Sequence, residues 1–131
     1  MSRHIIRDER GQTMVEFALV IPVLLVVLFG VIQFGVLYNN YVTLTDATRA
    51  GARKAAVSRL ETNREALVTE KVEASAPGLD DDDLEVFVST PGGWEHGEDV
   101  TVRATYPYEI DLLGFVVAAG DLESETTERV E

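Results

Sequence analysis

From Phe17 to Tyr38 the chain reads FALVIPVLLVVLFGVIQFGVLY, 22 residues without a charge. As a helix rising about 1.5 Å per residue, this run reaches about 33 Å and crosses a hydrocarbon core about 30 Å thick. It is apolar on every side, so a soluble fold would have to wrap it completely, and the residues after 60 are too few to do so. Tyr38 and Tyr41 stand where an interfacial aromatic belt lies. Pro22 cannot donate to the carbonyl of Ala18 and should loosen the helix near its start. The run exceeds the roughly 7–15 apolar residues of a secretory signal, and no small-x-small cleavage site directly follows it. It reads as a retained, single membrane span.

Charge divides the chain around that span. Residues 1–60 carry seven Lys or Arg against four acids, a balance of +3, whereas residues 61–131 carry four against nineteen, a balance of −15. A head so acidic repels nucleic acid and anionic lipid headgroups, and no nucleic-acid partner is expected. The absence of cysteine excludes disulfides and thiolate metal sites. Arg3, Arg7 and Arg10 favour a cytoplasmic N-terminus, but Arg49, Arg53 and Lys54 lie within range of the other end, so loop charge alone leaves topology open.

Helical character continues past the span to about Leu60. Thr43, Ala47, Gly51 and Ala55 recur every four residues as a stripe of small side chains, which lets a neighbouring helix approach closely. Asp46, Arg49 and Arg53 share a face that can stay wet. A second helix is expected from Thr62, with Thr62 and Glu65 as a capping box, Val68 and Val72 as its apolar face and Pro77-Gly78 as its end. The period then changes to two. Leu84, Val86 and Val88 alternate with outward residues, as do Val100, Val102, Ala104 and Tyr106, and Leu122–Val130 gives a third, more polar strand. The expected fold is α+β: a long N-terminal helix, transmembrane below and amphipathic above, then a short second helix and a small three-stranded antiparallel sheet. Its divisions are a cytoplasmic leader at 1–11, the helix at 12–60 with its span at about 17–38, and an acidic extracytoplasmic head at 61–131.

At the start of the span stands Arg10-Gly11-Gln12-Thr13-Met14-Val15-Glu16-Phe17. Gly11 offers a bond with no side chain to obstruct a protease. Glu16 puts a carboxylate at the edge of an apolar helix, where even translocon scales charge about 2.5–3.5 kcal/mol at the bilayer centre. This pattern resembles the processing signature of type IV prepilins and pseudopilins. That resemblance implies cleavage by a prepilin peptidase between Gly11 and Gln12, and pairing of Glu16 with the amino terminus of a neighbouring subunit. Two unit charges about 4 Å apart attract by about 4 kcal/mol at an effective dielectric of 20, comparable to the insertion cost before desolvation is subtracted.

Further residues narrow the resemblance. Arg10-Gly11-Gln12, Val15-Glu-Phe-Ala-Leu-Val20, Pro22, Thr45–Arg53, the strand Val100–Pro107 and the closing Arg129-Val130-Glu131 are similar to the TadE-like family. Phe17 departs from the Tyr that the best-processed members carry after the acid. The resemblance implies a minor pseudopilin of the tight-adherence (Flp) pilus machinery, held in the cytoplasmic membrane with its N-terminus inside and its head outside, within or at the base of a pilus. The implied partners are the prepilin peptidase, other pilins or pseudopilins, inner-membrane assembly proteins and the lipid bilayer. The competing reading is an uncleaved, membrane-anchored adaptor or binding module with an acidic head.

No catalytic or cofactor site is expected. His4 and His96 fall in opposite compartments, so neither zinc nor a His-based nucleophile is served. Asp80–Asp83 lack the alternation and glycine of a calcium loop and read as a solvated loop. Trp94 reads as a cover for one end of a small core or as a partner contact. The apolar run Leu112–Ala119 is too short to span, and is either an exposed subunit or membrane-surface contact or a buried third strand or lid.

Overall fold

The computed structural model describes residues 9–131. The leader residues Arg3, His4 and Arg7 lie outside the described residues. Helix α1 spans Glu9–Ala56, α2 spans Arg64–Ala74, and three strands follow: β1 at Glu85–Ser89, β2 at Asp99–Leu112 and β3 at Phe115–Arg129. The strands form an antiparallel meander in the order β1-β2-β3. The expected α+β architecture is thus the architecture of the molecule.

Helix α1 has two environments. Residues 12–29 are exposed on every side, so the part of α1 that is long and apolar enough to cross a membrane is left uncovered by the rest of the chain. That helix could anchor the protein in a bilayer. Further along, Gln33, Leu37 and Asn40 are half-buried, and Leu44, Ala47, Thr48, Gly51, Ala52 and Ala55 are buried. Their three- and four-residue spacing makes a continuous stripe, and the head packs along it. Thr48, buried among apolar neighbours, donates its hydroxyl to the Leu44 carbonyl at 2.7 Å, so the stripe holds no unmet polar group there.

The core joins three layers on this stripe. Leu44, Ala47, Ala52 and Ala55 of α1 meet Val68 and Val72 of α2 and Val100, Val102 and Ala104 of β2, with Leu79, Leu84 and Val130 closing the ends. Along β2 the alternation expected from the sequence holds, since Val100, Val102 and Ala104 are buried and Arg103 is exposed. Arg103 pairs across the sheet with Glu125 at 2.7 Å. Its guanidinium is held above the ordinary arginine value by the hydrogen bond to Glu125, and then by the charges of Glu123 and Glu125.

Several boundaries differ from the expected ones, and helix α1 already begins at Glu9, three residues before Gln12. Helix α1 stops at Ala56, before Leu60. There the Ser58 hydroxyl donates to the Lys54 carbonyl at 2.6 Å and its N–H to the Ala55 carbonyl at 3.1 Å, and these bonds take up carbonyls that a further turn would have used. Helix α2 begins at Arg64, with Asn63 at its N-cap and no side-chain capping bond. The Thr62–Glu65 capping box therefore does not form: with the N-cap one residue later, at Asn63, Glu65 falls at the second helical position, out of register to reach back. Arg64 is fixed there by donating to the Glu61 carbonyl at 2.9 Å and by lying 5.5 Å from the centroid of the Trp94 ring. The third strand begins at Phe115, seven residues before Leu122, and β2 runs on to Leu112.

Candidate functional site

The head of α1 carries the residues singled out in the sequence. Because α1 begins at Glu9, the Gly11–Gln12 bond lies inside a helical turn. Gln12 and Glu16 are one turn apart, and the Gln12 amide donates to Oε1 of Glu16 at 3.2 Å. Glu16 and Phe17 are both exposed, Phe17 at 65 %. The arrangement presents one carboxylate, with a local amide partner, on an otherwise apolar helix surface. If the chain ended at Gln12, the positive pole of the α1 dipole and a free α-amine would both stand within about one turn of that carboxylate.

The small-residue stripe works inside the chain. Ala47, Gly51 and Ala55 are buried and Thr43 is half-buried. A Cβ on Gly51 would run into the Val72 side chain and stand 3.5 Å from Val102 Cγ1 and 3.7 Å from Val68 Cγ1. The helix that the stripe admits at close range is α2 of the same chain, so Ala47, Gly51 and Ala55 are not open to a helix of a second subunit. The neighbouring helix expected to approach the stripe closely is thus, at Gly51, α2 of the same chain. The wet face is as expected: Asp46 and Arg49 form an exposed ion pair at 3.7 Å.

The run Leu112–Ala119 is neither a buried strand nor a lid. It forms the tip of the β2–β3 hairpin, with Leu113, Phe115, Val116 and Val117 all exposed. Leu113 and Gly114, at φ 54° and 88°, are the two central residues of the turn, both in the positive-φ region that a primed hairpin turn uses. The Asp111 carboxylate accepts the Gly114 N–H at 2.8 Å and closes the turn. The tip lies beside α1, where the Gln33 side-chain amide donates to the Asp111 carbonyl at 3.2 Å. Sequence reasoning passed over Gln33. The signal was a lone amide in the apolar run, which needs a partner.

The remaining candidates are ordinary structure. Among Asp80–Asp83, Asp80 accepts the Asp82 N–H at 3.0 Å and the Asp80 N–H donates to the Tyr106 hydroxyl at 3.2 Å, a turn closed by its own side chains. No group of three or more His, Asp or Glu side chains is placed to hold a metal ion among the described residues. Trp94 packs half-buried against the core with Arg64 over its ring, the core-covering role of its two readings. His96 is exposed.

Residues 11–53 match the family model described as TadE-like protein. The match begins at Gly11, ends near the top of α1 and lies wholly within that helix. It bears out the resemblance read from that stretch, while Val100–Pro107 and Arg129–Glu131 lie outside the matched residues. No curated protein and no solved structure matches the chain.

Proposed function

We propose that this chain is a minor pseudopilin that takes part in building a tight-adherence (Flp) type IV pilus. The match over residues 11–53 suggests a component associated with Tad pili, and the finer role is our reading. One observation carries it: an exposed carboxylate, Glu16, heads a helix left bare over residues 12–29, five residues after a glycine that begins the matched segment. A bare apolar helix is suited to leaving the bilayer for a bundle of like helices, because both surroundings are apolar.

In this reading the N-terminus is cytoplasmic, and a prepilin peptidase cuts between Gly11 and Gln12. The new α-amine of one subunit then pairs with Glu16 of the next. Before cleavage, Glu16 accepts a hydrogen bond from the Gln12 amide, a neutral and exposed partner. After cleavage a cation competes for it, and two opposite unit charges about 4 Å apart attract by about 4 kcal/mol at an effective dielectric of 20, an attraction that the neutral amide lacks. Docking is thereby tied to processing. The chain carries no enzymatic activity of its own in this scheme, and the acidic head contacts other assembly proteins.

A second reading is an uncleaved, single-pass adaptor, and one observation favours it. The Gly11–Gln12 bond sits in a helical turn that must open before a protease can reach it. N-terminal mass measurement on the protein from membranes that hold an active prepilin peptidase separates the two. A chain starting at Gln12 supports the pseudopilin, and a chain that keeps its first eleven residues leaves the adaptor.

A further inference from the structure

We infer that the tip of the β2–β3 hairpin is a second membrane contact, seated in the headgroup and upper acyl region of the leaflet nearest the head. The inference needs α1 to cross the bilayer but is independent of pilus assembly.

Two hydrogen bonds fix the hairpin along the helix. At its base the Glu131 N–H donates to the Ala56 carbonyl at 3.0 Å, and near its tip the Asp111 carbonyl accepts from Gln33 at 3.2 Å. The strands therefore run down α1 from the head to the level of Gln33, inside the apolar run. Gln33 is five residues below Tyr38, a descent of about 7–8 Å. An element lying in the interface buries its apolar side about 5–10 Å deep, so the level of Asp111, where the apolar tip begins, is at interfacial depth whenever Tyr38 marks the aromatic belt.

The side chains change character at the same level. Between Asp99 and Ala104 the pattern alternates buried with partly or fully exposed, as suits a sheet with a helix on one face and water on the other. From Leu112 to Gly120 there is no charge, and Val116 and Val117, successive residues around a bulge, are 56 % and 57 % exposed. In the register Ile110 faces Ala118 and Asp111 faces Val116, which leaves Val117 as the extra residue. The tip is apolar on both faces, which fits an apolar medium around it. At the turn, Leu113 occupies a positive-φ position that hairpins in water give to Asn, Asp or Gly.

Backbone chemistry sets the depth. An open sheet edge is not tolerated in hydrocarbon, because its N–H and C=O groups find no partners there. The tip is a two-stranded ribbon, since β1 pairs with β2 only at residues 101–105. It therefore stays in the wet interface, with the Asp111 carbonyl satisfied by Gln33 and the Asp111 carboxylate by Gly114. The patch is also continuous with the bare surface of α1, the surface that lipid would already cover.

The chain has no cysteine, so single cysteines report cleanly. The test places an environment-sensitive fluorophore on Val117→Cys of the full chain, reconstituted in phosphatidylcholine–phosphatidylglycerol vesicles with nitroxide lipids labelled at shallow or deep positions. Val26→Cys in the span and Thr127→Cys on the head are the references, and Phe115→Cys repeats the reading should the label at 117 disturb the bulge. The expected result is a blue-shifted Val117 probe that loses more intensity to shallow than to deep nitroxides, beside a deep-quenched Val26 probe and an unquenched Thr127 probe. Aqueous, unquenched emission at both 117 and 115, with Val26 still quenched, overturns the inference and leaves the span intact. Protection that grows with protein-to-lipid ratio and ignores nitroxides also overturns it, assigning the tip to a second copy. An unquenched Val26 probe removes the span and the inference together.

Discussion

Gly51 and Val72 touch so closely that the α-carbon of one is the wall for the side chain of the other: a Cβ on Gly51 would overlap Val72 Cγ2. Val72 is β-branched and stiff at χ1 within α2, so it cannot swing aside as a long flexible side chain would.

This contact fixes the sign of a substitution. Gly51→Ala gains about 1 kcal/mol in helix propensity. It meets an overpacking cost of about 1–3 kcal/mol against Val72. We expect a net loss of stability in chemical unfolding of the detergent-solubilised protein. In a Val72→Ala background the wall is gone, and the same change should become stabilising. A loss of equal size in both backgrounds would show that the two residues do not touch.

Leu44 is wholly buried where the head meets the upper end of the apolar run. Truncation to alanine leaves a cavity and should cost about 2–5 kcal/mol. Unfolding curves followed by Trp94 fluorescence read the change, since Trp94 packs on the same core. Exposed Leu60, truncated in the same way, should shift the curve by no more than about 0.5 kcal/mol.

Gln33→Leu keeps the bulk and apolarity of α1 but leaves the Asp111 carbonyl without its donor. Amide exchange should speed up across residues 108–118 while the unfolding midpoint of the head stays in place, because the bond joins the tip and not the core. Unchanged exchange at the tip would show that Gln33 does not hold it.

Glu16→Ala should leave peptidase cleavage intact and remove the subunit from assembled pili, as read by the mass of the mature chain and by its presence in sheared filament fractions. Gln12→Ala removes the amide partner of Glu16 but not the new α-amine, so it should assemble. Normal incorporation of the Glu16 variant would end the pairing scheme.

Replacing Gly11 with a bulky residue such as Leu should block processing. The retained leader then withholds the new α-amine on Gln12 that would pair with Glu16. A mature mass unchanged from the native chain would rule Gly11 out as the cleavage position.

Much of this was legible in the order of residues. A helix long and apolar enough to cross a membrane declares itself through a long uncharged run, and a half-buried strand through alternation, because each pattern follows from local geometry alone. Val68, Val72, Val100, Val102 and Ala104 were assignable to the core on period alone, and all are buried. The capping box misled because its spacing is right for an N-cap at Thr62, but the bonds of Arg64 with Glu61 and Trp94 set the N-cap one residue later, at Asn63. The stripe at 43, 47, 51 and 55 announced close helix contact and could not say with which helix.

By itself the sequence determined an apolar helix too long and too evenly greasy for a small soluble domain, an acid and a glycine at its head, and an acidic α+β portion beyond. Those properties reside in single elements, where composition and period are enough. Only the tertiary structure decided that α2 takes the small-residue stripe, that Leu112–Ala119 turns outward as a hairpin tip, and that Gln33 meets Asp111 78 residues later in the chain. Each depends on which surfaces meet when several elements compete for the same face of α1, and no local pattern records the outcome of that competition.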